Sequence, residues 1–180
     1  MAVASCTQAP ESGRGTLALS DCRLPGLERV VRCGSHEVFE DREAGKGRRI
    51  ALQVAVIPAR RRGAEPDPLV VLAGGPGQGA IALASQVAPL FSRLNDTRDI
   101  VLVDQRGTGN SNPLDCEPDD GVQSVFEDTL PEKMVSECLE GLDADPRQYA
   151  TPSAVADLDE VLGALGYARV NLWGGSYGTR

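Results

Sequence analysis

The sequence predicts an α/β fold: a mostly parallel sheet with flanking helices. Three observations predict it. The stretches Leu69-Val70-Val71-Leu72-Ala73 and Ile100-Val101-Leu102-Val103 are continuous apolar runs of strand length, as parallel strands buried on both faces require. A third strand-like run covers residues 168–173, and all three end in glycine-rich loops at residues 74–79, 105–109 and 174–178. Segments with helical spacing lie between them, and strand–helix–strand alternation is the pattern of right-handed crossovers in a parallel sheet.

The elements follow in order. Residues 1–20 read as a tail, with a polar, Pro- and Gly-containing linker at 7–14. Residues 21–180 read as the folded part. Residues 30–33 and 37–39 predict two short antiparallel strands, and residues 49–57 a strand that becomes more buried along its length. Pro58 ends it, and Pro66-Asp67-Pro68 marks a turn. Residues 81–94 have helical spacing. Thr151 or Ser153 can cap a later helix whose apolar stripe is Val155, Leu158, Val161, Leu162 and Leu165, with Gly166 as its stop. No internal repeat is visible.

The chain has 180 residues, enough for one domain with a real core. Its net charge of −8 argues against nucleic acid or an anionic membrane as a partner of the whole chain. Arg60-Arg61-Arg62, beside Gly63, reads as a solvated loop. No apolar run approaches the roughly 18 residues of a membrane helix. The five cysteines lack Cys-x-x-Cys spacing, so no metal site is implied, and no motif implies a cofactor.

Cys22 and Cys33 flank the turn Leu24-Pro25-Gly26, and Cys116 and Cys138 flank an acidic, turn-rich excursion. The expected bridges are Cys22–Cys33 and Cys116–Cys138, each stabilising by about 3 kcal/mol in the chain-entropy model. They imply an oxidising compartment, periplasmic or extracellular; reduced, buried thiols are the alternative. Cys6 follows Val3-Ala4-Ser5, which is similar to the end of a bacterial lipoprotein signal, where the cysteine is acylated as a lipid anchor. The charged and apolar parts of such a signal are missing, so a plain cysteine in a loose terminus is the other reading.

Gly174-Gly175-Ser176-Tyr177-Gly178 carries the chemistry. A Gly-x-Ser-x-Gly pattern arises by chance in about one such chain in ten. Here it follows a strand, which is where it forms a nucleophile elbow exposing the serine Oγ. The loop at residues 74–79 suits an oxyanion hole, because preorganised N–H donors stabilise a developing negative oxygen. Gly75 is expected to give one donor and Tyr177, the residue after the nucleophile, the other. Gly74, Pro76 and Gly77 shape that loop, which lacks both the P-loop ending and the dinucleotide-binding spacing. Asp104 and Arg106 end the next strand. Arg106 either holds a carboxylate or braces neighbouring loops; bracing through a local pair with Asp104 is the expectation. The lone histidine, His36, precedes Ser176, whereas this fold class orders its triad Ser, then Asp or Glu, then His.

Three stretches together resemble the proline iminopeptidase and tripeptidyl aminopeptidase branch of the α/β-hydrolases. Ala73-Gly74-Gly75-Pro76-Gly77 is similar to that group's His-Gly-Gly-Pro-Gly loop, Asp104-Gln105-Arg106-Gly107 to its Asp-Gln-Arg-Gly strand end, and residues 174–179 to its elbow. Ala73 departs from the usual His, which puts substrate fit near the loop in question. The resemblance implies an N-terminal half of an α/β-hydrolase fold, ending just after the elbow, with the cap, triad acid and triad His to follow. It implies a serine hydrolase that releases residues from peptide N-termini. With no His after Ser176 the piece is expected to be inactive, and its open sheet edge is expected to make it prone to self-association. An esterase or lactonase acting on a small ester or amide is the alternative within the fold. A non-catalytic scaffold that keeps half the fold is the alternative outside it.

Overall fold

The computed structural model describes residues 17–115 and 132–180. Its strands are β1 (Ser20–Cys22), β2 (Val31–Phe39), β3 (Arg49–Ile57), β4 (Leu69–Leu72), β5 (Ile100–Val103) and β6 (Asn171–Gly174). Its helices are α1 (Ala84–Leu90), α2 (Glu132–Gly141) and α3 (Thr151–Leu165). The strands form one mixed sheet in the order β1-β2-β3-β5-β4-β6. β4 pairs in parallel with β5 and with β6. The β1–β2, β2–β3 and β3–β5 pairs are antiparallel.

Period-two alternation sorts the apolar runs onto both faces. Leu69, Val71, Ile100 and Leu102 pack with Ala84, Val87 and Ala88 of α1 on one face. Val70, Val101 and Val103 pack with Val161 and Leu162 of α3 on the other. At about 25 cal/mol per Å² of apolar area, each buried valine, leucine or isoleucine here contributes roughly 1.5–3 kcal/mol, so β4 and β5 anchor the sheet.

Several elements differ from expectation. The two short strands are one nine-residue strand, β2, because pairing with β3 runs unbroken across the register Arg32↔Val56 to Phe39↔Arg49. α1 is shorter than residues 81–94. It opens with a 3-10 turn at Ile81–Leu83 and ends one residue after Pro89, which has no N–H for the helical ladder. α3 begins with Ala150 as N-cap and has no side-chain cap, so neither Thr151 nor Ser153 serves. Gly166 does end it, at φ 88°. Val155 is exposed, and Asp157 is buried in its stead.

Cys22 and Cys33, on the neighbouring strands β1 and β2, form a disulfide with a Cα–Cα distance of 5.8 Å. Cys138 on α2 is also disulfide-bonded. Cys6 and Cys116 lie outside the described residues. Among the described residues, no helix is long and apolar enough to cross a membrane.

Candidate active site

The carboxyl ends of β4, β5 and β6 lie side by side, as the parallel pairing dictates. Ser176 stands directly past the end of β6. Gly175 is extended at φ −114° and ψ 138°, and Ser176 turns to φ +53° before a single 3-10 turn, Ser176–Thr179. A non-glycine residue in the left-handed region is held there by its surroundings. Gly178 N–H donates to Gly175 O at 2.9 Å, and Thr179 Oγ1 donates to Ser176 O at 2.7 Å. Gly178 is buried, and a Cβ there would overlap the Leu72 carbonyl oxygen. Only glycine lets the turn lie this close to β4.

The loop after β4 closes on the serine. A Cβ at Gly74 would sit 3.2 Å from Ser176 Cβ and 3.0 Å from Gly175 O, so the Gly74 backbone packs directly against the serine. Gly75 follows at φ +105° and is joined to Pro76 by a cis peptide bond; Gly77 is at φ +93°. Ser176 and Tyr177 are exposed. Among the described residues, no side chain hydrogen-bonds to Ser176 Oγ.

Asp104 ties two of the glycine loops together. It is 2% exposed. Its Oδ1 accepts the Ile81 N–H at 2.9 Å, and its Oδ2 accepts the Asn110 N–H at 3.2 Å. The first bond holds the far end of the loop at residues 74–79; the second holds the turn after β5.

Arg106 does not make the expected local pair with Asp104; its partner is Asp157. Its Nε donates to Asp157 Oδ2 at 2.6 Å and its Nη2 to Oδ1 at 2.8 Å. Further donations reach Glu40 O at 2.8 Å, Gln148 O at 2.9 Å and Phe39 O at 3.3 Å. The planar, five-donor guanidinium suits such a hub. The Asp104 carboxylate is already taken by backbone N–H groups, which leaves α3 to answer the buried charge.

Asp157 and Glu40 are the residues that sequence reasoning missed. Asp157 precedes Leu158 and lies four positions before Val161, so the 3.6-residue period places it on the inward side of α3; that was the available signal. Glu40, 6% exposed, accepts the Tyr149 hydroxyl at 2.9 Å and the Asp145 N–H at 3.1 Å. Burial and the Glu40 carboxylate push the Tyr149 hydroxyl up to about 12.

His36 is not brought to Ser176. It lies on β2, which is separated from β6 by β3, β5 and β4, four steps of about 4.8 Å or about 19 Å in all. Its Nε2 instead meets Glu160 Oε1 at 3.0 Å. Arg42 bridges Glu160 and Asp157, each at 2.7 Å, so His36 ends a chain of polar side chains leading inward to Arg106.

A family model described as alpha/beta hydrolase fold matches residues 67–180. The chain is 28% identical to a tripeptidyl aminopeptidase of Streptomyces lividans over 95% of this chain and 35% of that protein. It is 29% identical to serine protease Hip1 of Mycobacterium tuberculosis over 88% of this chain and 33% of that protein. A proline iminopeptidase structure from Mycobacterium smegmatis is 24% identical and covers 81% of this chain and 36% of that one, with a TM-score of 0.44. The chain thus spans about a third of the length of the curated relatives it matches. With the family match reaching from the turn before β4 through the Ser176 turn, this chain belongs to the alpha/beta hydrolase fold family.

Proposed function

We propose that this chain is part of a serine hydrolase that releases residues from peptide N-termini. The observation that carries the reading is Ser176 at φ +53° past the end of β6, with the Gly74 backbone packed against its Cβ. Such a turn presents Oγ to a substrate carbonyl while keeping the adjacent backbone N–H groups free to act. Ser176 Oγ attacks the scissile carbonyl, its proton passes to a histidine base, and the C–O bond forms as the carbonyl π pair moves onto oxygen. The Gly75 and Tyr177 N–H groups hold that oxyanion. Collapse expels the peptide amine, protonated by the same histidine, and water then releases the acyl group.

Asp104 and Arg106 are assigned to positioning: Asp104 fixes the loop that carries Gly75, and Arg106 locks the next loop to α3. The base is not His36, so it comes from outside these 180 residues, and the 180-residue chain alone is inactive. The names of the matched relatives, an aminopeptidase and a serine protease, support peptide over ester as substrate. The Cys22–Cys33 disulfide supports export to an oxidising compartment. The Cys116–Cys138 pairing and acylation of Cys6 belong to the same reading.

The test is hydrolysis by the protein at its natural length. Tripeptidyl-amide and aminoacyl-amide substrates should be cleaved with free-N-terminus dependence, and Ser176→Ala should abolish cleavage. Turnover of simple esters alone would overturn the peptidase assignment. Unchanged activity in Ser176→Ala would overturn the nucleophile.

A further inference from the structure

The end of the sheet opposite Ser176 carries a surface that the hydrolase reading does not use. The loop after β3 presents Arg60, Arg61 and Arg62, all exposed. It is not a loose tether. Arg60 N–H donates to Asn95 O and Arg61 N–H to Asp96 O, both at 2.9 Å, and Glu65 N–H donates to Thr97 O at 2.7 Å. These bonds clamp the loop along the turn that follows α1. Asn95, 1% exposed, secures that turn by donating to Ile57 O, Pro58 O and Arg98 O.

The same turn exposes apolar side chains. Leu90 is 64% and Leu94 43% exposed. Phe91 N–H donates to Val87 O and Asn95 N–H to Phe91 O, so helical geometry runs through this stretch and puts Leu90 and Leu94 on one side. Arg93 is exposed beside them.

The nearby acids are largely engaged. Asp96 answers Arg60 at 3.8 Å, and Asp67 answers Arg98 at 3.1 Å. Asp99 accepts the Tyr167 hydroxyl and the Ala59 N–H, each at 2.7 Å. Arg61, Arg62 and Arg93 have no carboxylate within ion-pair distance among the described residues; Glu65 is the exposed acid of the loop.

We propose that this end docks on an anionic lipid bilayer, with Arg60, Arg61, Arg62 and Arg93 meeting headgroup phosphates and Leu90 and Leu94 entering the headgroup boundary. Clustered basic side chains beside exposed leucines are the combination that holds peripheral proteins on acidic lipid. The net charge of −8 does not oppose this contact strongly, because charges farther than about 8 Å are screened at physiological salt. Docking in this pose leaves the carboxyl ends of β4, β5 and β6 facing away from the membrane.

The test is flotation of the 180-residue chain with phosphatidylglycerol–phosphatidylcholine vesicles and with pure phosphatidylcholine vesicles. The chain should float with the acidic vesicles and be released by 0.5 M salt, where the screening length falls to roughly 4 Å. Replacing Arg60, Arg61 and Arg62 together by Gln should lower partitioning on the order of 100-fold. Leu90→Gln with Leu94→Gln should weaken binding while keeping its salt dependence. All these positions are exposed, and an unchanged far-UV spectrum verifies the fold of each variant. Equal flotation with neutral vesicles, an unaffected triple-arginine variant, or capture by soluble polyphosphate without flotation would each overturn the proposal.

Discussion

Arg106 and Asp157 form a two-point ion pair across 51 positions of sequence, with side chains 1% and 4% exposed. The pair joins the loop after β5 to α3. Removing one partner strands a buried charge, which costs about 3–5 kcal/mol, more than the intact pair contributes over an apolar replacement. Asp157→Asn should therefore destabilise the chain by several kcal/mol; Arg106→Leu should destabilise it too, although Asp157 then keeps Arg42 as a cation. The double variant Arg106→Leu/Asp157→Leu should lose less than the sum of the two single losses. Urea denaturation of the three variants checks this; additive losses would remove the coupling.

The turn at Ser176 depends on Gly178. A Cβ there meets the Leu72 carbonyl oxygen of β4, so Gly178→Ala must push the turn away from the sheet. Overpacking of this kind costs roughly 1–3 kcal/mol. Amide exchange should quicken in β6 and its turn before it does so in β3. Unchanged exchange at residues 171–178 would contradict the close packing.

Asn95 should be the most sensitive polar position away from the site. Its amide serves three carbonyls, and its Oδ1 accepts Arg29 Nη1 at 2.8 Å. Asn95→Ala leaves these groups unpaired in a buried place, at about 1–3 kcal/mol for each one that water cannot reach. A fall of several degrees in Tm is expected; a change within error would show that water replaces the amide.

Alkaline pH should weaken the fold. The Tyr149 hydroxyl is raised to about 12 by burial and by Glu40, and the Tyr167 hydroxyl is raised by burial and by Asp99. A raised folded-state pKa means that the folded chain keeps a proton that the unfolded chain releases. The stabilisation is complete below the unfolded tyrosine value near 10 and is lost as pH rises towards 12. Denaturation midpoints measured from pH 9 to 12 should fall, and Tyr149→Phe should flatten part of the fall. An identical slope in Tyr149→Phe would contradict the assignment.

Much of the fold was legible because β4 and β5 are buried on both faces and so are written as unbroken apolar runs. Ser176 was legible because its neighbours must be glycine for the turn to pass β4. The order of the sheet was not, since β5 reaches its place between β3 and β4 through pairing between distant segments, which local periodicity does not encode. Asp157 was overlooked for a related reason. A carboxylate in a helix reads as solvent-facing until its cation, far away in sequence, is known. Val155 is the converse case: it continues the apolar stripe of α3, yet it is 61% exposed.

The most direct measurement is labelling of Ser176 by a fluorophosphonate probe, followed by peptide mapping. The protein at its natural length should be labelled at Ser176, and these 180 residues alone hardly at all, because His36, their one histidine, sits four strand steps, about 19 Å, from the strand that leads to Ser176. Equal, specific labelling of both at Ser176 would contradict the account of an external base, and absence of labelling in the natural-length protein would contradict Ser176 as nucleophile.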